Sequence, residues 1–272
     1  MKWHIVLVFS LLIVVQAVSQ SVSGPVSVVD TLDITGITTG GFGLTYDWST
    51  DCLWVGDIDA GILYRITKTN PPTIQQIVLV LVGPNDVYGL AYDGSTVMLC
   101  GNNKKIYTMD LVTGIASLYR DVPDYWVGDQ PLALDVVNDA IYSGDWEVDD
   151  LAYASPAQTG SWHTWGMTDI SGLACSFSGS EPAQYLFAVS QHPSQGYLII
   201  YILDGGIPQF PAYGIEPLPE ELSQVDVADC AYDGVYLYVL DNQGSTSYIF
   251  VLDWLDNVVQ SQSLGEIRAL FK

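Results

Sequence analysis

An all-β chain folded as a single β-propeller, with five four-stranded blades as the preferred count and six as the rival, is predicted by three observations. First, a Gly-Leu-Ala-Tyr-Asp theme recurs with departures at Gly43-Leu44-Thr45-Tyr46-Asp47, Gly89-Leu90-Ala91-Tyr92-Asp93, Leu132-Ala133-Leu134-Asp135, Gly172-Leu173-Ala174-Cys175 and Cys230-Ala231-Tyr232-Asp233. Taking Leu44, Leu90, Leu132, Leu173 and Cys230 as equivalent, the intervals are 46, 42, 41 and 57 residues, mostly the roughly 40 to 50 of a propeller blade. Second, short runs of β-branched and aromatic residues alternate with clusters of Gly, Asn, Asp and Pro, the signature of short strands joined by tight turns. Third, helical periodicity is nearly absent. Only Pro219-Glu220-Glu221-Leu222 could start a helical turn, and it reads as part of the loop that lengthens the fourth interval.

Each repeat divides into strands a to d, counted from the axis outward. The first blade takes residues 44–47, 53–56, 62–67 and 74–80, and the second 90–93, 97–101, 106–110 and 115–119. The third takes 132–137, 140–144, 151–154 and 161–166. The fourth takes 173–177, 185–190, 197–203 and an irregular outer segment near 210–215, and the fifth 230–233, 236–240, 247–252 and 258–263. Asp93-Gly94, Asp233-Gly234 and Asp204-Gly205-Gly206 are hairpin turns, and Asn70-Pro71-Pro72 forces a loop because proline has no N–H for a ladder. Segment 26–34 is rich in β-branched residues and can pair with the last blade, closing the ring and removing two open sheet edges. The rival count joins that segment to 264–271 as an incomplete sixth blade. Five is preferred, since the long fourth interval has too few residues for two blades.

The chain begins Met1-Lys2-Trp3-His4, continues with an apolar run over 5–15, and reaches Ala17-Val18-Ser19. This is a signal-peptide pattern over 1–19, too short and too interrupted for a membrane span, with residues 20–272 as the exported domain. The expectation is a secreted, extracellular or periplasmic protein with no membrane span after cleavage. The chain carries 8 Lys and Arg against 31 Asp and Glu, a net charge of −23, which repels phosphates and excludes nucleic acid as a partner. Cys52, Cys100, Cys175 and Cys230 match no metal-ligand spacing. Read as opposite in parity on neighbouring inner strands, Cys175 and Cys230 are a possible bridge, with free buried thiols as the preferred alternative.

Leu53-Trp54-Val55-Gly56-Asp57, followed by Gly61-Ile62-Leu63-Tyr64-Arg65-Ile66, resembles the strand pattern of YWTD-type and NHL-type propellers and of secreted bacterial propeller repeats. Met98-Leu99-Cys100-Gly101-Asn102, Ile141-Tyr142-Ser143-Gly144-Asp145 and Leu237-Tyr238-Val239-Leu240-Asp241 echo it. The resemblance implies a propeller fold whose members host binding, lyase and lactonase activities alike. The chain is also similar to gluconolactonase-like propellers, which hold a divalent cation on the axis with Glu, Asn and Asp. That likeness implies a metal set of Asp57, Asn102, Asp145 and Asp241.

Because the chain reverses at each strand, the b–c loops and the d–a connections emerge at one end of the ring. Asp57, Asn102, Asp145, Ser190 and Asp241 hold equivalent places there, joined by d–a residues that include Asp169, Asp226 and Asp229. Such hard oxygen ligands suit Ca²⁺. The competing reading, favoured by the repetition itself, is that each side chain closes its own turn. A lyase would need His192 at this end, and Trp126 and Trp146 offer faces for a glycan or a cation. No nucleophile elbow, phosphate loop or His-Glu-x-x-His occurs. The leading expectation is an exported non-catalytic binding or scaffold module for a cation, a glycan or a protein partner. The alternative is a divalent-metal-dependent lactonase-like hydrolase or lyase.

Overall fold

The computed structural model describes residues 26–254, apart from 39, 58–59, 81–86, 101–104, 122–130, 145–149, 156–158, 164–168, 177–181, 192–195, 210–211, 223–225 and 244, and apart from the side chains of 120–121, 150 and 159–163. The described residues form strands and turns with no helix, and therefore no helix long and apolar enough to cross a membrane. The strands build five antiparallel sheets, each one blade of a five-bladed β-propeller.

Strand β1 (Ser27–Asp33) precedes the first blade, which consists of β2 (Gly41–Asp47), β3 (Cys52–Asp57), β4 (Ile62–Thr67) and β5 (Ile74–Leu79). The second blade is β6 (Gly89–Tyr92), β7 (Val97–Cys100), β8 (Lys105–Met109) and β9 (Ala116–Asp121). The third is β10 (Leu132–Asp135), β11 (Ala140–Gly144), β12 (Asp150–Ala154) and β13 (Thr159–His163). In the fourth, β14 (Ile170–Cys175), β15 (Tyr185–Ser190) and β16 (Tyr197–Asp204) are followed by two short outer pieces, β17 (Ile207–Pro208) and β18 (Gly214–Pro217), both paired with β16. The fifth blade carries β19 (Val227–Tyr232), β20 (Leu237–Gln243) and β21 (Thr246–Asp253), with β1 as its outer strand.

This last pairing settles the blade count and corrects one strand of the sequence reading. The outer place of the fifth blade belongs to β1, in register from Ser27 opposite Asp253 to Asp33 opposite Tyr248, and not to 258–263, which lies outside the described residues. The two ends of the described chain thus share one sheet, and the ring closes through a hydrogen-bonded ladder. Leu32 and Ile34 are fully buried against blade one, each contributing about 2 kcal/mol by removal of apolar surface from water. The first blade's c–d loop reinforces the seam: Asn70 Nδ2 donates to Asp30 Oδ1 and to the Thr31 carbonyl at 3.1 and 2.9 Å. Lys68 Nζ lies 2.5 Å from Asp51 Oδ1 and 2.7 Å from Asp233 Oδ2, over the ring of Tyr46. Burial disfavours the lysine's charge, but the two carboxylates outweigh it and raise the amine above its ordinary value.

The core is five wedges, one at each blade boundary. Inner-strand side chains alternate between them with period two. Leu44 packs toward blade five, Leu90 toward blade one, Leu132 toward blade two, Leu173 toward blade three and Cys230 toward blade four. The intervening Ala91, Ala174 and Ala231 face the following blade, where only small side chains fit near the axis.

That alternation overturns the parity assigned to the cysteines. Cys175 stands two residues beyond Leu173 and so shares the facing of Leu173 and Cys230. It packs at the boundary of blades three and four, whereas Cys230 packs at the boundary of blades four and five. The four cysteines are free thiols, and burial pushes those of Cys175 and Cys230 well above the ordinary thiol value.

Candidate functional site

Of the seven residues singled out for binding or metal ligation, Asp57 and Asp241 fall among the described residues. Asn102, Asp145, Trp126, Trp146 and His192 lie outside them. Asp57 ends β3, and both its carboxylate oxygens serve local structure: Oδ1 accepts from the Ala60 N–H at 2.9 Å and Oδ2 from the Thr38 hydroxyl at 2.6 Å. Its carbonyl accepts from the Gly61 N–H, so Asp57 closes its own b–c turn. Asp241 is fully buried, with Oδ2 accepting from Gln243 Nε2 at 2.9 Å. Among the described residues, no group of three His, Cys, Asp or Glu side chains is placed to hold a metal ion.

The opposite, a–b end shows the same turn chemistry in full. Asp47 Oδ1 accepts from the Ser49 and Thr50 N–H groups at 3.0 and 3.2 Å, and the two hydroxyls add bonds of 2.6 and 2.7 Å. Asp93 repeats the arrangement on Ser95 and Thr96, Asp135 on Val137 and Asn138, and Asp233 on Val235 and Tyr236. The recurring Asp of the repeat is therefore the cap of the a–b hairpin. Gly94 and Gly234, with φ of +98° and +96°, follow their Asp because the turn enters the left-handed region there. Burial works to raise the carboxyls of Asp47, Asp93 and Asp233, but the N–H and side-chain donors outweigh it and hold all three below the ordinary value.

A carboxylate of different standing occupies the axis. Asp229 is fully buried, and its oxygens accept main-chain N–H groups from several blades. Leu44 of blade one donates to Oδ2 at 2.7 Å, while Leu173 of blade four and the adjacent Cys230 donate to Oδ1 at 3.2 and 2.8 Å. The Leu90 N–H of blade two adds to the favourable field at the same carboxylate. These are four of the five residues equivalent in the repeat. Burial pushes the Asp229 carboxyl well above the ordinary range, while the four N–H groups act in the opposite direction. Irregular registers precede the equivalent positions in blades one, four and five, between Gly41 and Gly43, Ile170 and Gly172, and Val227 and Asp229.

Asp229 stands where the repeat has Gly43, Gly89, Pro131 and Gly172. A Cβ on Gly172 would lie 2.5 Å from Asp229 Cα and 2.6 Å from Val189 Cγ2, so glycine there lets the main chains of blades four and five approach closely at the axis. The sequence reading grouped Asp229 with the loop acids of the d–a set. The signal that marks it out lies in the repeat itself: Asp-Cys-Ala-Tyr-Asp in one blade against Gly-Leu-Ala-Tyr-Asp in another.

Toward the a–b end the inner strands line a shallow funnel of about 50 Å³. Tyr46, Tyr92 and Tyr232 stand in its wall with Trp48, whose ring meets Tyr92 edge-on at 4.7 Å between centroids. Val136 and Val137 sit at its mouth, 40 % and 47 % exposed, and Val235 and Tyr236 of the fifth blade's a–b turn are exposed at the same end. Organic ligands occupy pockets of roughly 300 to 1,000 Å³. The funnel is far smaller than that, and around it the exposed Val136, Val137, Val235 and Tyr236 stand among the Asp, Ser and Thr side chains of the a–b turns.

No protein-family profile and no curated protein sequence matches the chain. Among solved structures, a nidogen/laminin complex aligns at 15 % identity and a TM-score of 0.47, over 74 % of this chain and 72 % of that one. Hydrazine synthase of Kuenenia stuttgartiensis aligns at 13 % and 0.47, over 75 % and 56 %. A structural-genomics protein of unknown function from Bacteroides thetaiotaomicron aligns at 11 % and 0.48, over 77 % and 58 %. The fold assignment rests on the sheet topology itself.

Proposed function

We propose that the protein is an exported, non-catalytic binding module, with residues 20–272 as the mature domain, and that its a–b end docks a protein partner. The observation that carries this reading is the filled axis: Asp229 is buried there, and toward the a–b end there remains a shallow funnel lined in part by Val136 and Val137, with Val235 and Tyr236 exposed at the same end. Exposed aliphatic side chains of this kind fit the core of a protein interface. A net charge of −23 selects a cationic partner, and the lysine and arginine of blade one are turned inward on Asp51, Asp233 and Trp54.

A photocrosslinking residue placed at Val137 supplies the test, with the same residue at Ile77 on the outer rim as control, in the exported fraction of the producing cell. The reading expects one dominant adduct from Val137 and none from Ile77. Adducts from Ile77 alone would contradict it. Recovery of the protein in the cytosol with residues 1–19 still attached would contradict export.

A further inference from the structure

We propose that the axis of the ring is a carboxylate receptor made of main-chain N–H groups, and that its resident ligand is the chain's own Asp229 side chain. The donors belong to the repeat. Leu44, Leu90, Leu173 and Cys230 hold equivalent places on inner strands, each paired with a neighbour on one side alone. On such an edge every second residue turns its N–H away from the ladder, here toward the axis. Converging inner strands therefore bring several donors to one buried point, where each needs an acceptor.

The ligand, by contrast, belongs to one blade. Position 229 holds Asp, whereas the equivalent residues Gly43, Gly89, Pro131 and Gly172 have no polar side chain. A carboxylate has about four lone-pair sites on its two oxygens, enough for the bonded N–H groups of Leu44, Leu173 and Cys230 and for the field of the Leu90 N–H beside them. An amide or hydroxyl side chain has a single acceptor oxygen, whereas these N–H groups are shared between two, Leu44 on Oδ2 and Leu173 with Cys230 on Oδ1. The receptor is thus complete without the side chain that fills it. Replacing Asp229 by the glycine of its sister blades would leave a buried site for a small free monocarboxylate. Acetate is the Asp side chain severed at the Cα–Cβ bond, and formate is one carbon smaller. Pivalate, too bulky for the space one carboxymethyl group leaves, serves as the size control.

Chemical rescue tests this. Asp229→Gly is melted in sodium formate, acetate or pivalate at equal ionic strength, with the wild type in the same salts giving the non-specific effect of each. The expected result is a saturable rise in melting temperature of about 3 °C or more in formate and acetate beyond the wild-type response, and none in pivalate. Equal responses to all three salts, or none, would overturn the proposal. Should the variant not fold in plain buffer, its refolding yield replaces the melting temperature: a yield that rises with formate and not with pivalate supports the receptor. Should no salt yield folded variant, amide hydrogen exchange in the wild type decides. Protection of Leu44 and Leu173 equal to that of the β3 ladder supports it, and exchange at the rate of open-edge amides overturns it.

Discussion

The N–H of Leu44 in the first blade donates to Oδ2 of Asp229 in the fifth at 2.7 Å, joining residues 185 positions apart in the chain. The Leu173 N–H reaches the same carboxylate from the fourth blade. One side chain thus bonds the main chains of both blades that flank its own, in addition to the wedge packing that joins neighbours. It also fills the axis between the two ends of the ring.

Replacing Asp229 by Ala removes the acceptor of three buried N–H groups, those of Leu44, Leu173 and Cys230. Each orphaned donor costs about 1 to 3 kcal/mol, partly relieved where water can enter, so a loss of about 3 kcal/mol or more is expected. Asp229→Asn preserves the shape but turns an NH₂ toward main-chain donors, and a loss of similar size is expected. Urea denaturation monitored by tryptophan fluorescence measures both; a change below about 0.5 kcal/mol, the range of ordinary surface substitutions, would show the axis to be unimportant to stability.

Gly172→Ala places a methyl group 2.5 Å from backbone at Asp229, a contact no flexible side chain can relieve, and about 1 to 3 kcal/mol of destabilisation is expected. Gly36→Ala is the control, because a Cβ there meets nothing within 4 Å. Equal stability of the two variants would contradict the close approach of blades four and five at the axis.

Closure through β1 makes Leu32→Ala a long-range lesion. The side chain is fully buried between the fifth and first blades, and its truncation is expected to remove about 2 to 5 kcal/mol. Deleting 26–34 would uncover the edge of β21, and concentration-dependent aggregation by light scattering is the expected outcome. A monomeric deletion variant of unchanged melting temperature would mean that the ring does not depend on this strand.

Acid should weaken the fold through the hairpin caps. Asp47, Asp93 and Asp233 have folded values below the unfolded value of about 3.9, so the stability they contribute is present above that value and lost as pH falls through the folded ones. Asp229, raised in the folded state, acts with opposite sign: its contribution is greatest below the unfolded value and declines as pH rises through the folded one. Once the pH is below the unfolded value the Asp229 contribution is complete, so the further change as pH falls toward the folded values of the caps belongs to Asp47, Asp93 and Asp233, and the urea midpoint is expected to fall there. Asp93→Asn should make that fall shallower, and an unchanged slope would contradict the capping role.

Much of the fold was legible because the repeat is written in the inner strands. Leu44, Leu90, Leu132, Leu173 and Cys230 mark five blades, the Asp-Gly turns mark hairpins, and the β-branched run at 26–34 marks the closing strand. The outer strand of blade five was assigned twice, to 258–263 and to 26–34, because strand propensity does not say which of two edge-compatible segments takes a place that only the ring's closure defines. The facing of Cys175 was misjudged by miscounting a period of two from Leu173. The axial site was hidden for a different reason: its donors are main-chain groups, invisible to side-chain motifs, and its acceptor appears in one blade only. Asp57 was legible as a turn acid, and the Thr38 hydroxyl that shares it comes from a loop with no repeat signature.

The most direct test of radial closure is a through-hydrogen-bond NMR correlation between main-chain ¹⁵N nuclei and the ¹³Cγ of Asp229 in deuterated protein. Cross-peaks from Leu44 and Leu173 to that one carbon are the predicted result, since only sheets arranged about a common axis bring both amides to it. Cross-peaks confined to Cys230, with the Leu44 and Leu173 amides exchanging freely, would contradict the account.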